Sequence, residues 1–209
     1  MAEIIGLTGQ TGAGKSTVRK LLKAKGAAVI DADSVAHDVA DNELSCLTDI
    51  AEHFSCMVLD DKGKLNRKAL GRIVFSDKKK LALLNKIMFP YIVSNIKGQV
   101  TAYEKAGARI IVIDGATLIE SGCAKMCSTL ISVTAEEETR LTRIIHRDGI
   151  SKRDALRRVS AQNPEEFYIN ASDYVIKNDG TPGDLEREAE RVLDEIESGE
   201  KAAFAEGKA

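Results

Sequence analysis

Apolar positions along the chain fall into two patterns: short unbroken runs, and longer stretches in which they recur at helical spacing. Ile4-Ile5-Gly6-Leu7 is the first short run and leads into a glycine-rich turn. From Lys15 to Lys25 the apolar residues Val18, Leu21 and Leu22 then share one helical face. The reading is strand, loop, helix. Gly26 suits the position after a helix end, and Ala28-Val29-Ile30 reads as a second buried strand that enters Asp31-Ala32-Asp33. Further strands are expected at Ile110 to Ile113, Leu130 to Val133 and Tyr174 to Ile176, with helical stretches between them. Such alternation implies an α/β fold, a parallel sheet covered by helices.

Two stretches exceed a plain crossover. About 75 residues separate the second and third strands and read as helices, an inserted subdomain at about residues 42–106. Inside it, Asp60-Asp61-Lys62-Gly63 signals a turn, Asn66 is placed to cap a helix from Arg67 to Phe75, and Pro90 is expected to break or start another. A second insertion, dense in Arg and Glu, runs over about residues 135–171. Residues 1–198 then form one domain carrying both insertions, and residues 199–209, without a core pattern, are expected to fray.

Composition narrows the function classes. The 209 residues include 30 Lys and Arg against 32 Asp and Glu, a net charge of -2, so no global field draws the chain to nucleic acid or to an anionic membrane. With 44% hydrophobic and 30% charged residues it can bury a core and keep a solvated surface. Aromatics at 4% leave few stacking platforms for single-stranded nucleic acid. No apolar run approaches the ~18 residues of a membrane span. The start, Met-Ala-Glu, lacks a signal peptide's basic residues, which points to the cytoplasm. Cys46, Cys56, Cys123 and Cys127 form no CxxC and are not spaced with His37, His53 or His146 as a zinc set, so free, mostly packed thiols are expected.

The chemistry begins at Gly9-Gln10-Thr11-Gly12-Ala13-Gly14-Lys15-Ser16, a G-x4-G-K-[ST] motif placed between strand and helix. In such a loop, from Gly9 through Thr17, backbone N–H groups turn inward around phosphate oxygens and the helix start adds a positive dipole end. Lys15 reaches the terminal phosphates, and Ser16 can ligate Mg2+. Asp31 and Asp33 follow the second strand at the end where parallel sheets bind ligands, and they share a face if the strand continues. One carboxylate would serve as base; the competing role for Asp33 is capping a helix from Ser34. Asp114 ends the Ile110 to Ile113 run as a metal-organising acid does. Arg140, Arg143 and Arg147 fall on one helix face, a guanidinium stripe suited to a lid over the nucleotide, and Ser151 with Asp154 reads as the cap of a second lid helix.

Taken in order, these residues resemble the dephospho-CoA kinase family from about Ile4 to Ile196. Gly63-Lys64-Leu65-Asn66-Arg67 and Gln162 match, and the narrower matches are Val29-Ile30-Asp31-Ala32-Asp33 and Asp173-Tyr174-Val175-Ile176-Lys177-Asn178. The resemblance implies a P-loop NTPase core with a helical acceptor subdomain and a helical lid. It also implies transfer of the γ-phosphoryl of ATP to the ribose 3′-hydroxyl of dephospho-CoA, with Mg2+, as the last step of coenzyme A synthesis. Carried over, Asp33 is the acceptor-side base, Arg143 and Arg147 belong to the lid and nucleotide grip, and Asn178 lies near the adenine. The chain departs from the family at Gln10, usually Gly; at Phe89, usually His; at Ala116 to Glu120; and at Arg140, commonly Gln. A nucleoside or nucleotide kinase of the same fold is the alternative. A switch GTPase is disfavoured, because the guanine-reading Asn-Lys-x-Asp is missing.

Overall fold

Residues 2–198 are described in a computed structural model; the fraying expected of residues 199–209 lies outside the described residues. The chain divides into two compact units, one formed by the residues up to Ile30 and those from Tyr103 onward, the other by Asp31–Ala102.

The first unit holds β1 (Glu3–Gly9), α1 (Lys15–Ala24), β2 (Ala28–Asp31), β3 (Ile110–Asp114), β4 (Thr129–Thr134) and β5 (Tyr174–Lys177), in sheet order β2-β3-β1-β4-β5. β1 is central, and it pairs in parallel with β3 from Glu3↔Ile110 to Leu7↔Asp114 and with β4 from Ile5↔Thr129 to Gly9↔Val133. Strand side chains alternate faces. Ile5, Leu7, Ile131, Val133 and Ile176 therefore meet Val18 and Leu22 of α1 and Leu185, Val192 and Leu193 of α9 (Pro182–Ser198) in one core. Each such residue, fully buried, contributes about 1.5–3 kcal/mol before entropy is counted. Helices α6 (Glu137–Asp148) and α7 (Lys152–Ser160) carry a core of their own, Leu141 and Ile144 against Ala155 and Val159, which lets the pair behave as one body. Ser151 caps α7, its hydroxyl accepting from Asp154 N at 3.1 Å. Helix α8 (Glu165–Ala171) leads back to β5.

The second unit contains α2 (Ala32–Asn42), α3 (Leu44–Phe54), α4 (Arg67–Val74) and most of α5 (Lys78–Lys105). Asn66 caps α4 by accepting from Ala69 N at 3.0 Å, and Asp60 organises the turn before it by accepting from Lys62 N and Lys64 N. α3 and α5 are tied by Tyr91 Oη, which donates to Asp49 at 2.6 Å; that bond holds the Tyr91 hydroxyl up at about 12.

Two expectations are corrected here. Pro90 neither breaks nor starts a helix but lies inside α5. The lost N–H bond and the ring clash cost about 3 kcal/mol, yet Leu84 before it and Ile92, Ile96 and Val100 after it continue one buried face. Lys86, whose carbonyl the proline leaves without a donor, is exposed to water. At the end of β2 the strand does not continue through Asp33. It stops at Asp31, whose carboxylate caps α2 by accepting from Ser34 N at 3.0 Å. Asp31 and Asp33 thus share no strand face, and the cap of this helix is Asp31. Among the described residues no helix is long and apolar enough to cross a membrane.

Candidate nucleotide site

The carboxyl end of β1 runs into the loop Gly9 to Ser16, and α1 begins at Lys15 with Gly14 as its N-cap. Glycine is required at Gly12 and Gly14, as it is at Gly9. Gly14 has φ 109° and a Cβ there would stand 2.2 Å from Asn178 Nδ2; Gly12 has φ 79° and its Cβ would stand 2.8 Å from the Arg140 carbonyl oxygen. Both conformations disfavour L side chains, and both positions lack room for one. Helix α1 has no side-chain cap and no acid in its first turn, so its unpaired N–H groups and positive end are left for an anion. Lys15, Ser16 and Thr17 form that first turn, and Ala13 is fully buried beneath the loop.

Two side chains from distant segments brace the loop. Asn178, just after β5 and 5% exposed, donates from Nδ2 to the Ala13 carbonyl at 2.7 Å and accepts at Oδ1 from Arg143 at 3.3 Å. Arg143 of α6 also points Nη1 at the Gly12 and Ala13 carbonyls, each at 3.5 Å. Asn178 therefore supports the phosphate loop. The three expected stripe arginines divide. Arg140 turns inward, donating from Nε to the Ala135 carbonyl at 3.0 Å, because its turn of α6 packs directly on Gly12. Arg143 reaches the loop. Arg147 donates to its neighbour Asp148 at 2.7 and 3.0 Å, and Arg158 of α7 adds to the same carboxylate. Those cations hold the Asp148 carboxyl below the usual range, Arg147 first.

Asp114 ends β3 opposite Leu7, largely buried, with Oδ2 3.1 Å from Arg19 of α1. Arg19 was invisible to motif reading, although its place one helical turn past Lys15 could have flagged it. Also missed was a chain of contacts from the α7–α8 connection. Thr11 N donates to Gln162 Oε1 at 2.8 Å, Gln10 Nε2 donates to the Asn163 carbonyl at 3.1 Å, and Asn163 Nδ2 donates to Glu120 at 2.7 Å. Asp33 belongs to the second unit, exposed in the first turn of α2.

A central strand that delivers a glycine-rich loop to an uncapped helix, with an arginine-bearing helical pair anchored on that loop, defines a phosphate-loop kinase of the α/β class. A shikimate kinase from Acinetobacter baumannii is similar over 97% of each chain with TM-score 0.52 at 16% identity, a likeness of fold alone. Within this class the chain belongs to the dephospho-CoA kinase family, whose model matches residues 3–184. A dephospho-CoA kinase of Arabidopsis thaliana is 41% identical over 193 residues, 92% of this chain and 83% of that one. One from Lactobacillus johnsonii is 34% identical over 196 residues, 94% and 99% of the two chains. The solved dephospho-CoA kinase of Campylobacter jejuni has TM-score 0.69 at 29% identity and covers 95% of this chain and 99% of its own.

Proposed function

We propose that this enzyme transfers the γ-phosphoryl of ATP to the ribose 3′-hydroxyl of dephospho-CoA, giving coenzyme A and ADP, the last step of coenzyme A synthesis in the cytoplasm. The observation that carries the reading is the braced loop: the Gly12 and Ala13 carbonyls held by Asn178 and Arg143, in a chain of this family. Residues 31–102 serve as the acceptor-binding part, and residues 135–171 as the lid, of a single kinase domain. Loop N–H groups and Lys15 hold the β- and γ-phosphates. Arg143 adds charge where the transferring phosphoryl group develops it. Arg147 contributes by exchanging Asp148 for phosphate.

Asp33 is the acceptor-side base. With Asp31 occupied as the helix cap, the Asp33 carboxylate is the one at this strand end left to orient a hydroxyl and take its proton. Ser16 and Asp114 are hard oxygen donors that suit Mg2+, which in such sites takes most of its ligands from phosphate and water. Bound there, the ion would supply positive charge to the phosphates. Ser16 and Asp114, the latter shared with Arg19, would hold the ion.

The test is a coupled ADP-release assay with dephospho-CoA beside a panel of nucleosides and nucleotides. Turnover restricted to dephospho-CoA supports the reading; preference for a nucleoside overturns it.

A further inference from the structure

Within the lid, the helical pair α6–α7 is attached to the core at two ends. At its entry, Glu136 N donates to Asp179 at 2.7 Å and Arg140 to the Ala135 carbonyl at 3.0 Å. At its exit, the connection between α7 and α8 lies on the phosphate loop itself. Gln162 Oε1 accepts the Thr11 N–H, and Gln10, 4% exposed, donates to the Asn163 carbonyl while its own Oε1 has no partner among the described residues. Asn163 in turn holds Glu120 in the segment after β3. Between these two ends α6 and α7 share a private core, which packs the pair as one unit. A body fixed at both ends presents its side chains in one place, and the side chain presented at the loop is Arg143.

We infer that Gln162, seconded by Gln10, is a positioning residue for phosphoryl transfer: it latches the lid's exit onto the phosphate loop and so sets where Arg143 meets the nucleotide. The inference rests on the kinase reading above. A backbone N–H bonded to a remote side chain is an economical latch, because Thr11 lies in the loop and any displacement of the lid exit must either carry the loop with it or break that bond. The cost of breaking it is modest, in the range of about 0.5–1.5 kcal/mol for a net hydrogen bond. The latch can therefore bias a lid equilibrium without freezing it.

The experiment uses Gln162→Met, which preserves size and removes the acceptor, with Arg143→Ala and the double variant. Amide hydrogen exchange at Thr11 and at residues 161–164 is followed in ligand-free protein, and kcat and KM for ATP are measured at saturating dephospho-CoA. The expected result is faster exchange at Thr11, a kcat lowered up to about tenfold with KM for ATP little changed, and a smaller Arg143→Ala effect in the Gln162→Met background than in wild type. Unchanged exchange at Thr11, or a full Arg143→Ala effect in both backgrounds, overturns the inference. Gln10→Met is the second variant, predicted to speed exchange at residues 161–164 if Gln162→Met does not fold. If wild type fails to phosphorylate dephospho-CoA, the functional reading falls, while the exchange data still decide whether the latch exists.

Discussion

At the scale of single residues, the helix cap and the proposed base are different residues, Asp31 and Asp33. The cap of α2 is Asp31, so Asp33→Asn leaves that bond intact and is expected to shift Tm hardly at all. An amide cannot accept a proton from an attacking hydroxyl. Steady-state kinetics of Asp33→Asn should show kcat with dephospho-CoA down by at least about a hundredfold and ATP affinity near wild type; full turnover would return the search for a base to Asp114. Gly14→Ala tests the loop. Its methyl group would occupy the space of Asn178 Nδ2, so that amide must release the Ala13 carbonyl, in addition to the strain at φ 109°. Titration calorimetry is expected to show ATP affinity lowered at least about tenfold, with the far-ultraviolet spectrum unchanged. The loop residues were legible in sequence because a fixed spacing encodes them. Gln162 on Thr11 was not, because 151 positions separate the partners and no local period records the contact.

Among elements, the strands were legible almost to the residue, since a run such as Ile110 to Ile113 has no other use in a short segment. Helix positions were legible too; helix junctions were less so. Pro90 shows the reason: a local rule about backbone bonding lost to a buried stripe extending on both sides of it. The arginines of α6 make the same point, since spacing alone puts three on one face and only packing decides that Arg140 is buried, Arg143 reaches the loop and Arg147 stays on Asp148. Asp148 receives Arg147 of its own helix and Arg158 of α7, so it joins α6 and α7. Its folded pKa is depressed, chiefly by Arg147. The stabilisation is therefore complete above the unfolded value near about 4 and is lost as pH falls through the folded one. Asp148→Asn should lower Tm at pH 7, and the gap to wild type should narrow in thermal melts taken progressively below pH 4.

For the molecule as a whole, the place of β1 has a consequence for biosynthesis. It precedes its neighbours in the sheet, β3 and β4, by more than a hundred positions. Until they arrive, Ile4 to Leu7 is an apolar segment with both hydrogen-bonding edges open, the kind of surface that nascent chains expose to aggregation and chaperones. The helices of residues 31–102 are contiguous and need no such wait, so they are free to collapse first. A chain cut after Lys105 should thus give a helical circular dichroism spectrum and no ATP binding by calorimetry, whereas a chain continued through Ile196 should bind; ATP binding by the shorter chain would show that the loop needs neither flanking strand. During translation the phosphate loop is written more than a hundred residues before the strands that flank β1, so nucleotide capture reports that those strands have joined it.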